Sequence, residues 1–152
     1  MTSLLVEKIG CAPVNGRIVI VEDDSLISRT YKALLSREVF PHTGVMPILE
    51  FGVASDFLRQ VPSLCEVPKT LYIFDNNMPH DTGYRKEDYL LVLVATLKQY
   101  AVSMENVIAI SGNLPHNLDK DITRFEKPFP SSTFVEEVRR KLDAFTPVDS
   151  SE

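Results

Sequence analysis

The amino-acid sequence predicts an α/β protein built on a doubly wound, five-stranded parallel sheet. Short β-branched or aromatic runs alternate with longer segments whose apolar residues recur at helical spacing, and the alternation repeats five times along the chain. Parallel strands need crossover segments of this length, whereas antiparallel strands can be joined by tight turns. Because such crossovers are right-handed, we expect the carboxyl ends of all the strands at one edge of the sheet.

Five short apolar runs are the predicted strands. The third, Thr70 to Phe74, lies between Pro68 and a polar loop, which is typical of a buried strand. The residue that follows it is Asp75, and the next residues, through Gly83, are rich in turn-forming types. The predicted strands are 17–21, 48–51, 70–74, 106–110 and 122–126.

Four segments are predicted to be helices. In the first, Ile27, Tyr31 and Leu34 recur at helical intervals, with Asp24 or Ser25 as the expected N-cap. The third has a wide apolar face, which we expect to be buried against the sheet and a neighbouring element. The predicted helices are 25–38, 54–61 closed by Pro62, 86–101 with Ala101 on its apolar face, and a last helix that opens at Pro130 and Ser131 and stops at Pro147.

Length and composition indicate one domain in a reducing compartment. The chain has 152 residues, which suits a single domain at 17–146 with an N-terminal extension at 1–16 and a C-terminal tail at 147–152. A net charge of −5 argues against a nucleic-acid surface. The two cysteines show no disulfide or zinc spacing, and no apolar run is long enough for a signal peptide or a membrane span. We therefore expect a cytoplasmic protein.

Four of the five predicted strands end in residues that can handle a phosphate or a metal. Glu22 and Asp23 follow the first strand, Asp75 the third, Ser111 the fourth and Lys127 the fifth. Each has an ordinary explanation when taken alone, since a strand-end Asp often only starts a turn. Carboxylates brought together at one edge repel unless a cation lies among them, and oxygen ligands suit Mg²⁺. Asp75 would then be placed as a nucleophile towards phosphorus, beside a lysine that neutralises phosphoryl oxygens.

The pattern resembles the receiver domains of two-component response regulators over about residues 17–145. The resemblance is carried by VEDD at 21–24, DNNMPHDTG at 75–83, SG at 111–112 and KPF at 127–129. It implies the flavodoxin-like receiver fold, and the four motifs together are far more specific than any one of them.

By the same resemblance, each strand-end residue takes a role in phosphoryl chemistry. Asp75 is similar to the phosphoacceptor, and Ser111 and Lys127 to the switch hydroxyl and the lysine that bind the phosphoryl group. The side chains of Asn77 and Asn113 lie where the family tunes the rate of hydrolysis. The implied Mg²⁺ ligands are Glu22, Asp23, Asp75 and the backbone carbonyl of Asn77.

The chain departs from the family pattern at two places. Arg124 stands three positions before the lysine, where the family commonly has an aromatic switch residue. The segment at 112–126 is shorter than usual, so we expect a fourth helix that is short, distorted or absent. These two departures put switching through the aromatic residue in doubt and leave the phosphorylation chemistry intact. Pro128, by contrast, matches the family pattern and resembles the proline that often follows the lysine through a cis bond.

The resemblance implies a phosphoacceptor that takes a phosphoryl group from a histidine kinase or a histidine phosphotransfer protein and then contacts a downstream protein target. It implies no enzymatic activity beyond self-phosphorylation from phosphodonors and autodephosphorylation. We expect no direct DNA binding and no membrane association, and we leave homodimer formation open.

Two other functions are compatible with the sequence. The chain could be a receiver-like interaction module that no longer switches, as Arg124 and the short segment at 112–126 suggest. It could also be a phosphohydrolase of the haloacid-dehalogenase type, which also uses a strand-end Asp with Mg²⁺. Such an enzyme needs a second acid two residues after the nucleophile, and this chain has Asn77 there.

Overall fold

The computed structural model describes residues 17–22, 24–39, 48–66, 69–75, 89–111 and 118–145. Within these ranges the chain forms five strands, four α-helices and one short 3₁₀ turn. None of the helices in these ranges combines the length and the apolar character needed to cross a lipid bilayer. The elements are β1 (Arg17–Val21), α1 (Ser25–Glu38), β2 (Ile48–Phe51), α2 (Ala54–Leu64), β3 (Thr70–Asp75), α3 (Tyr89–Gln99), the 3₁₀ turn (Met104–Asn106), β4 (Val107–Ser111), β5 (Thr123–Glu126) and α4 (Ser131–Phe145).

The five strands form one sheet in the order β2-β1-β3-β4-β5, and every neighbouring pair is parallel. The predicted doubly wound parallel sheet is confirmed. The register aligns Val21 with Phe74, Asp75 with Ile110, and Ser111 with Glu126. The carboxyl ends of β1, β3, β4 and β5 therefore lie at the same edge.

Alternate side chains of the strands point to opposite faces of the sheet and build two apolar clusters. On one face, Val19 and Tyr72 pack with residues of α2 and α3. On the other face, Ile20 and Ile73 pack with residues of α1 and α4. Two helices therefore cover each face, as the doubly wound prediction requires.

The central strand β3 is buried along its whole length. On the α2–α3 face, the ring of Phe57 makes edge-on contacts with Phe51, Tyr72 and Phe74, at centroid separations of 5.7, 6.1 and 5.4 Å. Edge-to-face ring pairs add to the stabilisation from burial alone. Phe57 therefore ties α2 to the strand that ends at Asp75.

Helix α1 begins as the sequence predicts. Asp24 is the N-cap, and its carboxylate accepts hydrogen bonds from the backbone N–H groups of Leu26 at 2.9 Å and Ile27 at 3.3 Å. These two bonds satisfy donors that a helix start leaves without intrahelical partners. The acidic run after β1 thus has a structural role at Asp24 as well as its expected chemical role.

The prediction that Pro62 closes the second helix is wrong. Helix α2 runs on to Leu64 and contains Pro62 in its last turn. A proline in a helix removes one backbone donor, but the extra turn buries Leu64 in the α2–α3 cluster. Burial of that side chain outweighs the lost hydrogen bond.

Ala101 does not belong to the apolar face of the third helix, as the sequence had suggested. Helix α3 ends at Gln99, and Ala101 has a positive φ of 63°. The N–H of Val102 bonds back to the carbonyl of Leu97 at 3.1 Å, so the chain closes the helix through a left-handed residue. The remaining predicted face, from Leu90 to Leu97, is buried.

We expect Ala101→Gly to raise the free energy of unfolding by about 0.5–1 kcal/mol. The left-handed conformation costs an L-residue about 1–2 kcal/mol, and the larger unfolded-state entropy of glycine offsets part of the gain. Urea denaturation measures the change. The control is Ala33→Gly at an exposed position within α1, which should instead lose about 1 kcal/mol. A loss of stability in Ala101→Gly would contradict the description of this helix end.

Candidate functional site

A short polar contact at the carboxyl edge of the sheet joins the end of β3 to the residue that follows β5. Asp75 is the last residue of β3 and its side chain is only 2% exposed. The Nζ of Lys127 donates to its Oδ2 at 2.7 Å, although the two residues are 52 positions apart. The parallel register explains the contact, because Lys127 directly follows Glu126, the β5 partner of Ser111. A buried carboxylate therefore faces a lysine that is 31% exposed.

A second buried carboxylate lies at the end of the neighbouring strand. Glu22 follows β1 and is 3% exposed. Its Oε2 accepts a hydrogen bond from the N–H of Asp24 at 3.0 Å, and its own N–H donates to the carbonyl of Phe51 at 3.0 Å. Since Val21 pairs with Phe74, Glu22 and Asp75 occupy equivalent positions on adjacent strands. Two buried acids thus end adjacent strands, and one of them, Asp75, contacts the ammonium of Lys127.

The other predicted site residues lie at or beyond the limits of the description. Ser111 ends β4 and its backbone is placed opposite Glu126, but its side chain is outside the described residues. Asp23, Asn77 and Asn113 are outside them as well. The roles inferred for these four residues stay predictions.

The donor chemistry at this edge fits a hard divalent cation. Glu22 and Asp75 offer carboxylate oxygens, the ligands that Mg²⁺ prefers. Within the described residues no three potential metal-ligating side chains group together. The third acid of the predicted set, Asp23, lies outside those residues. The predicted Mg²⁺ site therefore fits the residues that are described and stays a prediction.

The fold is similar to that of solved receiver-domain structures. RcsB from Salmonella enterica serovar Typhimurium, bound to promoter rprA with a BeF₃⁻ phosphomimetic, superposes with a TM-score of 0.61 at 17% identity, covering 86% of this chain and 63% of that chain. The signal receiver domain of an HD domain-containing protein from Pseudomonas fluorescens Pf-5 has a TM-score of 0.59 at 17% identity, covering 89% and 92%. The Ssk1 receiver domain from Saccharomyces cerevisiae, crystallised with Ypd1, has a TM-score of 0.59 at 11% identity, covering 90% and 95%.

This chain has a receiver fold. The structural similarity confirms the predicted flavodoxin-like receiver fold. This chain spans 63% of the length of the RcsB chain. No family model matches the sequence, and no curated protein matches it.

In this receiver fold Lys127 lies between two aromatic residues. Phe125 and Phe129 flank it in sequence, their ring centroids are 5.0 Å apart, and the Lys127–Pro128 peptide bond is cis, as the resemblance implies. Phe134 on α4 packs against both rings, at 5.6 and 5.8 Å. Tyr31 on α1 contacts Phe134 at 5.4 Å. We call Tyr31, Phe125, Phe129 and Phe134 the ring cluster.

Tyr31 is a residue near the site that sequence reasoning missed. It had been considered only as one apolar position of the first helix. Burial raises the pKa of its hydroxyl, and the negative charges of Asp75 and Glu22 raise that pKa further. The available signal was its position two helical turns beyond Asp24 on the inward face of α1.

Arg124 has a structural partner in the segment that precedes β5. Its guanidinium donates to the carbonyl of Leu118 at 2.7 Å and reaches that of Asp119 at 3.5 Å. Leu118 and Ile122 are buried in the α2–α3 cluster, so residues 118–122 are attached to the core. Residues 118–122 form turns without an α-helix, which agrees with the expectation that the fourth helix is short, distorted or absent. Residues 112–117 lie outside the description.

The same segment should respond to acid through Asp119. The backbone N–H of Asp121 bonds to its carboxylate at 2.9 Å and Lys98 lies 2.9 Å away, and both lower its pKa. A lowered pKa in the folded state contributes stability that is complete above the unfolded pKa and is lost as pH falls through the folded pKa.

We therefore expect Asp119→Asn to be less stable than wild type at neutral pH and equal to it at strongly acidic pH. Urea denaturation across this range measures the difference. Asp143→Asn, at an exposed position of α4, is the control and should match wild type at neutral pH. A difference for Asp119→Asn that did not change with pH would exclude this assignment.

Proposed function

We propose that this receiver fold is a phosphoacceptor in a two-component or phosphorelay system. The observation that carries the proposal is the 2.7 Å contact between the buried carboxylate of Asp75 and the ammonium of Lys127 at the carboxyl end of the central strand. Ligands of open α/β sheets bind at this edge. The buried carboxylate of Asp75, on the strand next to the one that Glu22 follows, is placed to react with a bound ligand.

The proposed reaction is transfer of a phosphoryl group from a phosphohistidine to Asp75. A carboxylate oxygen of Asp75 attacks phosphorus, the phosphorus–nitrogen bond breaks, and the imidazole leaves with the bonding electrons and takes up a proton. Lys127 then neutralises charge on the phosphoryl oxygens, with Ser111 as the proposed hydroxyl donor. Mg²⁺, when held by Glu22, Asp23, Asp75 and the carbonyl of Asn77, would supply the remaining positive charge.

The proposed donor is a histidine kinase or a histidine phosphotransfer protein. Ypd1, which was crystallised with the Ssk1 receiver domain, is a histidine phosphotransfer protein, and we carry this class of partner over to the present chain. The proposed output is altered affinity for a protein target in the cytoplasm. Catalysis would be limited to self-phosphorylation and to loss of the phosphoryl group by hydrolysis.

Intact-mass measurement after incubation with Mg²⁺ and acetyl phosphate tests the proposal. We expect wild type to gain one phosphoryl group and Asp75→Asn to gain none. Asp143→Asn, which removes a carboxylate far from the site in sequence, should behave as wild type. An unchanged wild-type mass would overturn the proposal. Equal phosphorylation of Asp75→Asn would mean that another residue accepts the phosphoryl group.

A non-switching interaction module is the second candidate, and the contact of Arg124 with Leu118 favours it. That bond attaches Arg124 to the carbonyl of Leu118. Receiver domains commonly have a mobile aromatic residue at the position of Arg124. If the chain is such a module, its affinity for a histidine phosphotransfer protein should be the same with and without BeF₃⁻ and Mg²⁺. A change in affinity would exclude it.

A further inference from the structure

The two sides of Lys127 differ in how firmly they are held. On the side of β4 and β5, Arg124 bonds to the carbonyl of Leu118 at 2.7 Å and Lys98 pairs with Asp119 at 2.9 Å. Leu118 and Ile122 anchor the same segment in the core. A displacement at Lys127 would have to break several of these contacts at once to propagate in that direction.

On the other side, the ring cluster leads from Lys127 to the surface between α1 and α4. Phe129 and Tyr31 are half-buried, whereas Phe134 between them is fully buried. Beside them, between the two helices, is an open groove of about 290 Å³ whose lining includes Leu34 and Val135. The groove thus lies between the two helices that carry Tyr31 and Phe134.

A phosphoryl group on the Oδ2 atom of Asp75 requires a movement of Lys127. The ammonium contacts the carboxylate oxygen directly at 2.7 Å, so a phosphorus with its oxygens cannot be placed between the two groups as they stand. The ammonium has to withdraw to bond a phosphoryl oxygen. Its backbone is held between Phe125 and Phe129, whose rings are in contact with each other and with Phe134.

We propose that the ring cluster transmits the phosphorylation state of Asp75 to the surface between α1 and α4, while the Arg124 contact keeps the β4–β5 segment in place. This inference rests on the proposed function. Lys127 moves, Phe129 and Phe134 repack, and Tyr31 shifts with them at the α1 surface. Close-packed rings have few alternative arrangements, so a small displacement changes the arrangement of the whole cluster.

Two further contacts support this route. Arg139 on α4 donates to the carbonyl of Glu38 at the end of α1, so a repacked α4 is coupled to α1 at a second point. Tyr31 also lies in the electrostatic field of Asp75 and Glu22, since both charges raise the pKa of its hydroxyl. Tyr31 is thus coupled to the site by packing and by charge.

Fluorine NMR of protein labelled with 3-fluorotyrosine tests the inference. The chain has five tyrosines and Tyr31→Phe assigns the Tyr31 resonance by its disappearance. We expect acetyl phosphate with Mg²⁺ to shift that resonance and to leave unchanged the resonance of Tyr100, which is exposed beyond the end of α3. Intact mass on the same sample reports the extent of phosphorylation independently.

Two variants separate the routes. Phe134→Leu removes the ring between Tyr31 and Lys127, and it should reduce the shift of Tyr31 to less than half while phosphorylation by mass still occurs. Arg124→Ala removes the β4–β5 contact and should leave the Tyr31 shift intact. A pure field effect of the new charge would persist in Phe134→Leu, so an undiminished shift there overturns the packing route.

The outcomes distinguish the two proposals. If wild type gains a phosphoryl group and the Tyr31 resonance does not move, the inference fails and the proposed function stands. If the mass does not change, the proposed function fails and the inference falls with it. A Tyr31 shift that depended on Arg124 would place the transmission on the β4–β5 side.

Discussion

Lys127→Met is expected to lower the free energy of unfolding by about 2 kcal/mol in the presence of EDTA. The substitution keeps the apolar stem and leaves the carboxylate of Asp75 buried beside Glu22 without the ammonium that now lies 2.7 Å away. Breaking a fully buried ion pair costs about 3–5 kcal/mol, and we expect less because Lys127 is 31% exposed. Urea denaturation of the purified variant measures the loss.

Asp75→Asn is the matched control for the same contact, and its expected effect is small. Lys127 is partly exposed and can turn its ammonium to water, whereas the buried carboxylate of Asp75 cannot reach solvent when Lys127 is replaced. Asp75→Asn also removes one of two neighbouring negative charges. Equal destabilisation by the two substitutions would contradict this asymmetry.

Added Mg²⁺ should restore part of the stability that Lys127→Met loses. A cation bound by the two acids would neutralise the charge that the ammonium no longer balances, and a ligand that binds only the folded state stabilises it. The measurement is the urea midpoint with and without Mg²⁺, and it needs no phosphotransfer. A midpoint that Mg²⁺ left unchanged in wild type and variant alike would argue against a cation site at this edge.

Phe57→Ala is expected to have the largest effect on stability, a loss of about 3–5 kcal/mol. Phe57 is fully buried on α2 and its ring contacts Phe51, Tyr72 and Phe74 edge-on. Its removal leaves a cavity against the strand that carries Asp75, and close-packed interiors fill such cavities only in part. Chemical denaturation gives the change.

Leu26→Ala serves as the comparison for Phe57→Ala. Leu26 is 70% exposed in the first turn of α1, so its truncation should change stability by no more than about 0.5 kcal/mol. Phe57→Leu should lie between the two, because it keeps part of the buried volume. A loss below about 1 kcal/mol for Phe57→Ala would mean that the rings around it can collapse into the space.

The sequence predicted the elements whose pattern is local. Four of the five residues from Thr70 to Phe74 are aliphatic or aromatic, and β3 is buried along its length as a central parallel strand should be. Asp24 was one of two expected caps and is the one that the structure uses. The parallel order follows from the alternation of elements, and it places Glu22, Asp75 and Lys127 at one edge.

The features that the sequence did not predict depend on contacts between distant residues. Helix α2 continues through Pro62 because Leu64 finds a buried position, and helix propensity alone cannot weigh that gain. Ala101 takes a conformation that usually belongs to glycine, which the composition of the segment does not indicate. The bond from Arg124 to Leu118 and the approach of Tyr31 to the acids both arise from how separate elements pack.

The two outer strands of the described sheet, β2 and β5, bear on how copies of the chain can meet. Each is four residues long, and each carries exposed charged side chains, Glu50 on β2 and Arg124 and Glu126 on β5. Short, charged borders resist the addition of a foreign strand, which is the first step of sheet-to-sheet aggregation. Polymer growth by strand addition at these two edges is therefore disfavoured.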